Sequence, residues 1–271
     1  MKFLLSSPFL PALALAAALV VTPFWSVPDA PGWMGATGEA GTGVGEATGE
    51  AGTGVGEATG EAGTVVQFSS TAVDENHVRI ARVQYRGGGD WYNDPSALTN
   101  LIDFAVQQVP LPLDRSYDDV SIGSRDLHRY PFVFMTGHGN IDVNATEAAN
   151  MRDYLDKGGF LYIDDDYGFD PYIRPVIERI FPDEDLVELP ASYPLFNNVF
   201  DFPEGLPKIH EHDGKPPQGF GIFRDGRLVL FYTYESNLAD GWAYDVHDNP
   251  AHLTEQALQM GVNLLVYAFT R

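Results

Sequence analysis

The chain contains no cysteine, which excludes disulfides, thiolate metal ligands and a cysteine nucleophile. That absence gives no evidence about compartment. Basic residues are also scarce, with 16 Lys and Arg against 38 Asp and Glu, for a formal net charge of −22. Such a field repels nucleic acid and anionic lipid headgroups, so no nucleic-acid partner is expected. The acidity fits either a salt-rich habitat or an ordinarily solvated surface. Long apolar runs are missing too, except at the N-terminus. There, Lys2 precedes an almost uncharged stretch from Phe3 to Val27. Its length falls between a signal h-region and a spanning helix, and Pro8, Pro11 and Pro23 interrupt it. Residues 1–30 are therefore expected to be a signal peptide or N-terminal membrane anchor. The protein is expected to be exported, either periplasmic, secreted or anchored, with any membrane contact made through this segment.

Residues 36–46, ATGEAGTGVGE, recur unchanged at 47–57, and a third copy begins at 58. Glycine fills the repeat and no apolar stripe runs through it. Segment 31–64 therefore reads as a flexible linker.

The folded domain is expected over 65–271, long enough to enclose a sizeable core. Val78–Tyr85 alternates as a strand should. Asp94 followed by Pro95 predicts a helix cap, and Leu98, Leu101, Ile102, Ala105, Val106 and Val109 form a helical core face. Pro131–Met135 and Phe160–Ile163 are short apolar runs of the kind that buried parallel strands show. Between them, Asn144 and Glu147 suggest a capping box, and the helix they begin ends at Gly158-Gly159. The cap also accounts for Asn144 better than the glycosylation sequon it opens. Asp225-Gly226 between two apolar runs predicts a hairpin, and a final helix carries Leu258, Val262 and Leu265. Strand–helix alternation implies a three-layer α/β/α domain with a mainly parallel sheet.

Ligands of such sheets bind outside the carboxyl ends of the strands. Three polar turns follow predicted strands and suggest one shared pocket. The first, Gly88-Gly89-Asp90-Trp91-Tyr92, either wraps a ligand or makes a turn. The second places His138 between Gly137 and Gly139, followed by Asn140. The third is Asp164-Asp165-Asp166. Adjacent carboxylates at a buried strand end repel one another, so a cation, a hydrogen-bonded pocket or a solvated turn must explain them. Tyr234-Glu235 follows a further strand. Trp242, a candidate ligand-binding residue, lies in a polar–aromatic loop with Asp240, Tyr244, Asp245 and His247 that can hold a sugar or a peptide or act as a lid. His210 and His212 have the spacing that puts two imidazoles on one face of a strand, a weak signal for a divalent metal.

The segments ARVQYRGGGDWYNDP, FVFMTGHGN, YLDKGGFLYIDDD and GVNLLVYAFT resemble a bacterial family, domain of unknown function 4159. That family is similar to the class I glutamine-amidotransferase-like superfamily, which includes trehalose-utilisation-type proteins. FRDGRLVLFYTYES resembles the late hairpin of that fold. The resemblance implies a flavodoxin-like sandwich. It does not carry the amidotransferase reaction, because Asp164–Asp166 stands where the nucleophilic Cys would sit and Tyr234-Glu235 where its His would follow. Three functions remain. The first is a domain binding a polar, carbohydrate-like small molecule or an envelope protein. The second is a hydrolase using Asp165, His138 and Glu235, with or without a divalent metal. The third is a structural envelope component.

Overall fold

The computed structural model describes residues 77–271, so the expected leader and repeat lie outside the described residues. Seven strands form one mixed sheet: β1 Ala81–Gln84, β2 Asp118–Ser121, β3 Phe132–Met135, β4 Phe160–Asp164, β5 Val187–Glu188, β6 Gln218–Arg224 and β7 Arg227–Tyr234. Their order is β2-β1-β3-β4-β7-β6-β5. The first five in that order run parallel. β6 and β5 add an antiparallel edge. The β6–β7 turn is the expected Asp225-Gly226, with φ of 51° and 77°, matching the twist of the strands it joins.

Five helices follow the strands: α1 Ala97–Gln108, α2 Ala145–Asp156, α3 Asp170–Ile180, α4 Leu238–Trp242 and α5 Ala251–Thr270. The capping box of α2 is present as expected: Asn144 Oδ1 accepts from the N–H groups of Thr146 and Glu147, and Glu147 accepts from the Asn144 N–H.

Alternation along the strands divides the apolar side chains into two cores. Phe132, Phe134, Phe160, Tyr162 and Phe231 face α1, α4 and α5. Their rings stack across neighbouring strands, with centroids 5.9 Å apart for Phe132–Phe160, 5.6 Å for Phe134–Tyr162 and 6.1 Å for Tyr162–Phe231. Val133, Met135, Leu161 and Ile163 face α2 and α3 on the other side. Coverage of both faces explains why β3 and β4 are buried along their whole length. No helix among the described residues is long and apolar enough to cross a membrane.

Two expectations fail locally. Asp94 does not cap α1. Its backbone is left-handed, with φ of 49°, and the N-cap position falls to Ser96, whose side chain makes no cap bond. The turn aims the Asp94 carboxylate away from the helix and towards His247. The segment holding His210 and His212 is not a strand, and His212 is itself left-handed at φ 38°. The one-face argument for those two imidazoles therefore loses its premise.

Candidate functional site

The chain runs from β1 outward to β2 and then returns past β1 to β3. Loops leaving β1 and β3 in opposite directions open a crevice at their carboxyl ends, where ligands of open α/β sheets bind. Here the two glycine-rich turns pack on each other. The Gly89 N–H donates to the Asn140 carbonyl at 2.8 Å, and the Asn140 side-chain amide donates to the Gly87 carbonyl at 2.9 Å. A Cβ on Gly89 would lie 2.7 Å from the His138 carbonyl oxygen, and one on Gly137 would overlap the Tyr85 hydroxyl. Gly89, Gly137 and Asn140 thus hold the loops together, whereas Gly88 and Gly139 border open space. Trp91 lies under the Arg82 guanidinium, 5.2 Å from its ring centroid, while Tyr92 is exposed.

The packed turns orient His138. Its backbone N–H donates to Asp90 Oδ1 at 2.6 Å, and its ring Nδ1 lies 3.0 Å from Asp90 Oδ2. Its Nε2 is 3.6 Å from Asp166 Oδ2. Burial raises the Asp90 carboxyl, but the two His138 hydrogen bonds and the imidazole charge outweigh it, so its pKa is lowered.

The three acids after Ile163 go to three places. Asp164 is wholly buried on the α4 side, accepting the Thr233 hydroxyl at 2.5 Å and the Ala239 N–H at 2.7 Å. Asp165 points the other way and accepts the N–H groups of Phe169 and Asp170, at 2.7 and 3.1 Å, at the start of α3. Asp166 returns to the first side and accepts the Asn237 amide at 2.9 Å. This is the alternation of an extended chain. Burial pushes Asp164 up to about 7 and Asp165 up to about 6, only partly opposed by their hydrogen bonds. Asp166 is raised by burial and by the charges of Asp94 and Asp90, against the pull of His138.

Beyond β7, Glu235 is buried at φ 60°. It accepts Lys208 Nζ at 2.6 Å and the Asp213 N–H at 3.2 Å. Burial raises its carboxyl, but those two donors outweigh it and the net shift is downward. Between the β4 and β7 loops lies a cleft of about 310 Å³ whose walls include Asp165, Tyr167, His212, Asp213, Tyr234 and Glu235.

A further group was not visible as a unit in the sequence. His247 Nε2 lies 2.6 Å from Asp94 Oδ1 and 3.3 Å from Asp240 Oδ1. Asp240 Oδ2 also meets His210 Nδ1 at 2.8 Å and the Asn237 amide at 2.8 Å. Burial and the charges of Asp166 and Asp94 raise the Asp240 carboxyl far above its usual range.

The expected single pocket is therefore divided. Asp165, Tyr234 and Glu235 line the cleft, and His138 sits with Asp90 and Asp166 in the neighbouring crevice. Trp242, a candidate ligand-binding residue of the polar–aromatic loop, is instead wholly buried among Phe134, Tyr162 and α5, with its indole N–H donated to the Ala257 carbonyl at 2.8 Å. His210 and His212 have ring centroids 6.2 Å apart, with other partners at their nitrogens. The nitrogens of His210 are taken by Asp240 and Asn249, and His212 meets Asn237. Among the described residues, the side chains that bring three possible ligand atoms within 4.8 Å of one another are Asp94, Asp240 and His247. Asp94 was absorbed by its cap-like position before Pro95, and nothing local links it to a histidine 153 residues away.

Over residues 79–269 the chain matches the family described as domain of unknown function (DUF4159), and it belongs to that family. A comparison with curated proteins found no match.

Proposed function

We propose that this member of the family is a binding domain that takes a small polar, carbohydrate-like ligand in the cleft at the carboxyl ends of β4 and β7. The observation that carries the reading is the cleft's lining. The Tyr167 ring is exposed with its centroid 5.0 Å from that of His212, and Tyr234 shares the lining, its hydroxyl accepting Lys215 Nζ at 2.6 Å. Carboxylates of Asp165, Asp213 and Glu235 share the wall with these rings. Flat apolar faces beside fixed acceptors suit a ring that carries hydroxyls on its edges. A volume of about 310 Å³ sits at the small end of ligand pockets. Strand order and helices on both faces support a flavodoxin-like three-layer sandwich and its similarity to the amidotransferase-like superfamily. The apolar N-terminal stretch supports export.

Calorimetric titration of the full chain with a panel of mono- and disaccharides and sugar acids tests the reading. At least one is expected to bind with a Kd of about 1 mM or tighter, and Tyr234→Ala is expected to weaken that affinity at least tenfold. A panel with no binder, or binding indifferent to Tyr234→Ala, would overturn it.

A second reading, a carboxylate-based hydrolase, is favoured by one observation. Asp90 holds His138 by Nδ1, so Nε2 is the nitrogen presented towards Asp166. A carboxylate-oriented imidazole is the arrangement of a general base. Turnover of a glycoside or sugar ester that disappears in His138→Gln would favour this reading over simple binding.

A further inference from the structure

We propose that Asp94, Asp240 and His247 form a binding site for one divalent metal ion of the zinc or manganese kind. Ligand atoms from these three side chains all lie within 4.8 Å of one another. A metal with bonds of about 2.0–2.2 Å sets neighbouring ligand atoms roughly 3.0–3.5 Å apart. The separations from His247 Nε2, 2.6 Å to Asp94 and 3.3 Å to Asp240, need only small adjustment to meet that spacing.

An orphaned acceptor on one of these side chains points to a ligand. Asp94 is 8% exposed, and its Oδ2 has no hydrogen-bond partner among the described residues. A buried acceptor without a donor is costly, and a cation bound there satisfies it.

Charge favours the same conclusion. The ion pairs of Asp94, Asp166 and Asp240 among the described residues all run to histidines, with no Lys or Arg among them. Carboxylates this close cannot all stay ionised without a compensating positive charge. An imidazole among oxygen ligands suits Zn²⁺ or Mn²⁺ better than Ca²⁺, which takes an all-oxygen shell. The His247 side chain is 30% exposed, which leaves an approach from solvent. The site ties the loop after β1 to the segment between α4 and α5. It shares no lining residue with the β4–β7 cleft, so its failure would leave the binding reading intact.

The test is calorimetric titration of chelator-stripped full-length protein with ZnCl₂, with CaCl₂ for comparison. Wild type is expected to show one saturable zinc site per chain, tighter than for calcium, and a higher Tm when loaded. His247→Gln and Asp94→Asn are each expected to weaken zinc binding at least tenfold. Should Asp94→Asn fail to fold, His247→Gln decides, since His247 is partly exposed and its substitution opens no core. Absence of a saturable site would overturn the proposal, as would unchanged affinity in His247→Gln. Affinity that falls in His212→Gln but holds in His247→Gln would move the metal elsewhere and overturn it equally.

Discussion

Replacing Asp165 with Asn is expected to stabilise the protein, and only above a definite pH. The Asp165 carboxyl is 2% exposed and its Oδ1 receives two N–H groups at the start of α3. Asn retains that oxygen, so the cap survives while the charge goes. Burial holds the folded-state pKa near 6 against an ordinary 3.8. A shift of about 2 units is worth about 3 kcal/mol, an upper figure because the helix N-terminus favours the anion. The folded value lies above the unfolded one. Wild-type stability from this group is therefore complete below about pH 4 and is lost as pH rises through about 6. The two proteins should melt together at pH 4. At pH 8 the variant should be more stable by up to about 3 kcal/mol, roughly 6–12 °C in Tm for a domain of this size. Urea denaturation at half-unit pH intervals, followed by tryptophan fluorescence, measures the difference. A variant less stable than wild type at pH 8, or a difference that does not change with pH, would refute the reasoning. Either would mean that the carboxylate is compensated where it sits.

Glu235 should behave with the opposite sign. Its folded-state pKa is lowered, so its contribution is present above the ordinary glutamate value of 4.5 and fades as pH falls below it. Glu235→Gln should therefore destabilise at pH 7, leaving Lys208 without its buried partner, and the deficit should shrink towards pH 3 in the same urea series. Trp242→Ala should cost about 3–5 kcal/mol, as large-to-small core changes do, read as a fall in the denaturation midpoint. Gly137→Ala should destabilise through overlap with the Tyr85 hydroxyl, and Tyr85→Phe should recover part of that loss, giving a measurable interaction in a double-mutant cycle.

What could be read from the sequence was set by rules that act over a few residues. The apolar runs of β3 and β4, the Asn144–Glu147 capping box and the Asp225-Gly226 hairpin each carry their signal within one element. β2 was missed because its sequence, DDVS, buries only Val120. Its place in the sheet comes from pairing with β1, where Arg82 reaches Asp119 at 2.9 Å. α3 is hard to read locally because Pro175 lies inside it, although Pro171 falls in the first turn, where proline is tolerated. Its amphipathic face, with Ile173, Val176, Ile177 and Ile180 buried, overrides that local cost.

The candidate site was only half legible because it is built from local violations. Six described non-glycine residues have positive φ: Asp94, Tyr167, His212, Asp225, Glu235 and Asn237. Asp225 belongs to the hairpin, where that conformation is required. The other five lie in the cleft wall or the acid–histidine network. Left-handed residues of this kind cost on the order of 1 kcal/mol or more each and persist only where surrounding contacts over-determine them. Here those contacts are long-range. Asn237 is held by Asp166 and His212, Glu235 by Lys208, and Asp94 by His247. Local rules assign such residues to caps, strands and turns because those are their ordinary uses. The third dimension reassigns them, and it does so most often where the strands end and the cleft begins.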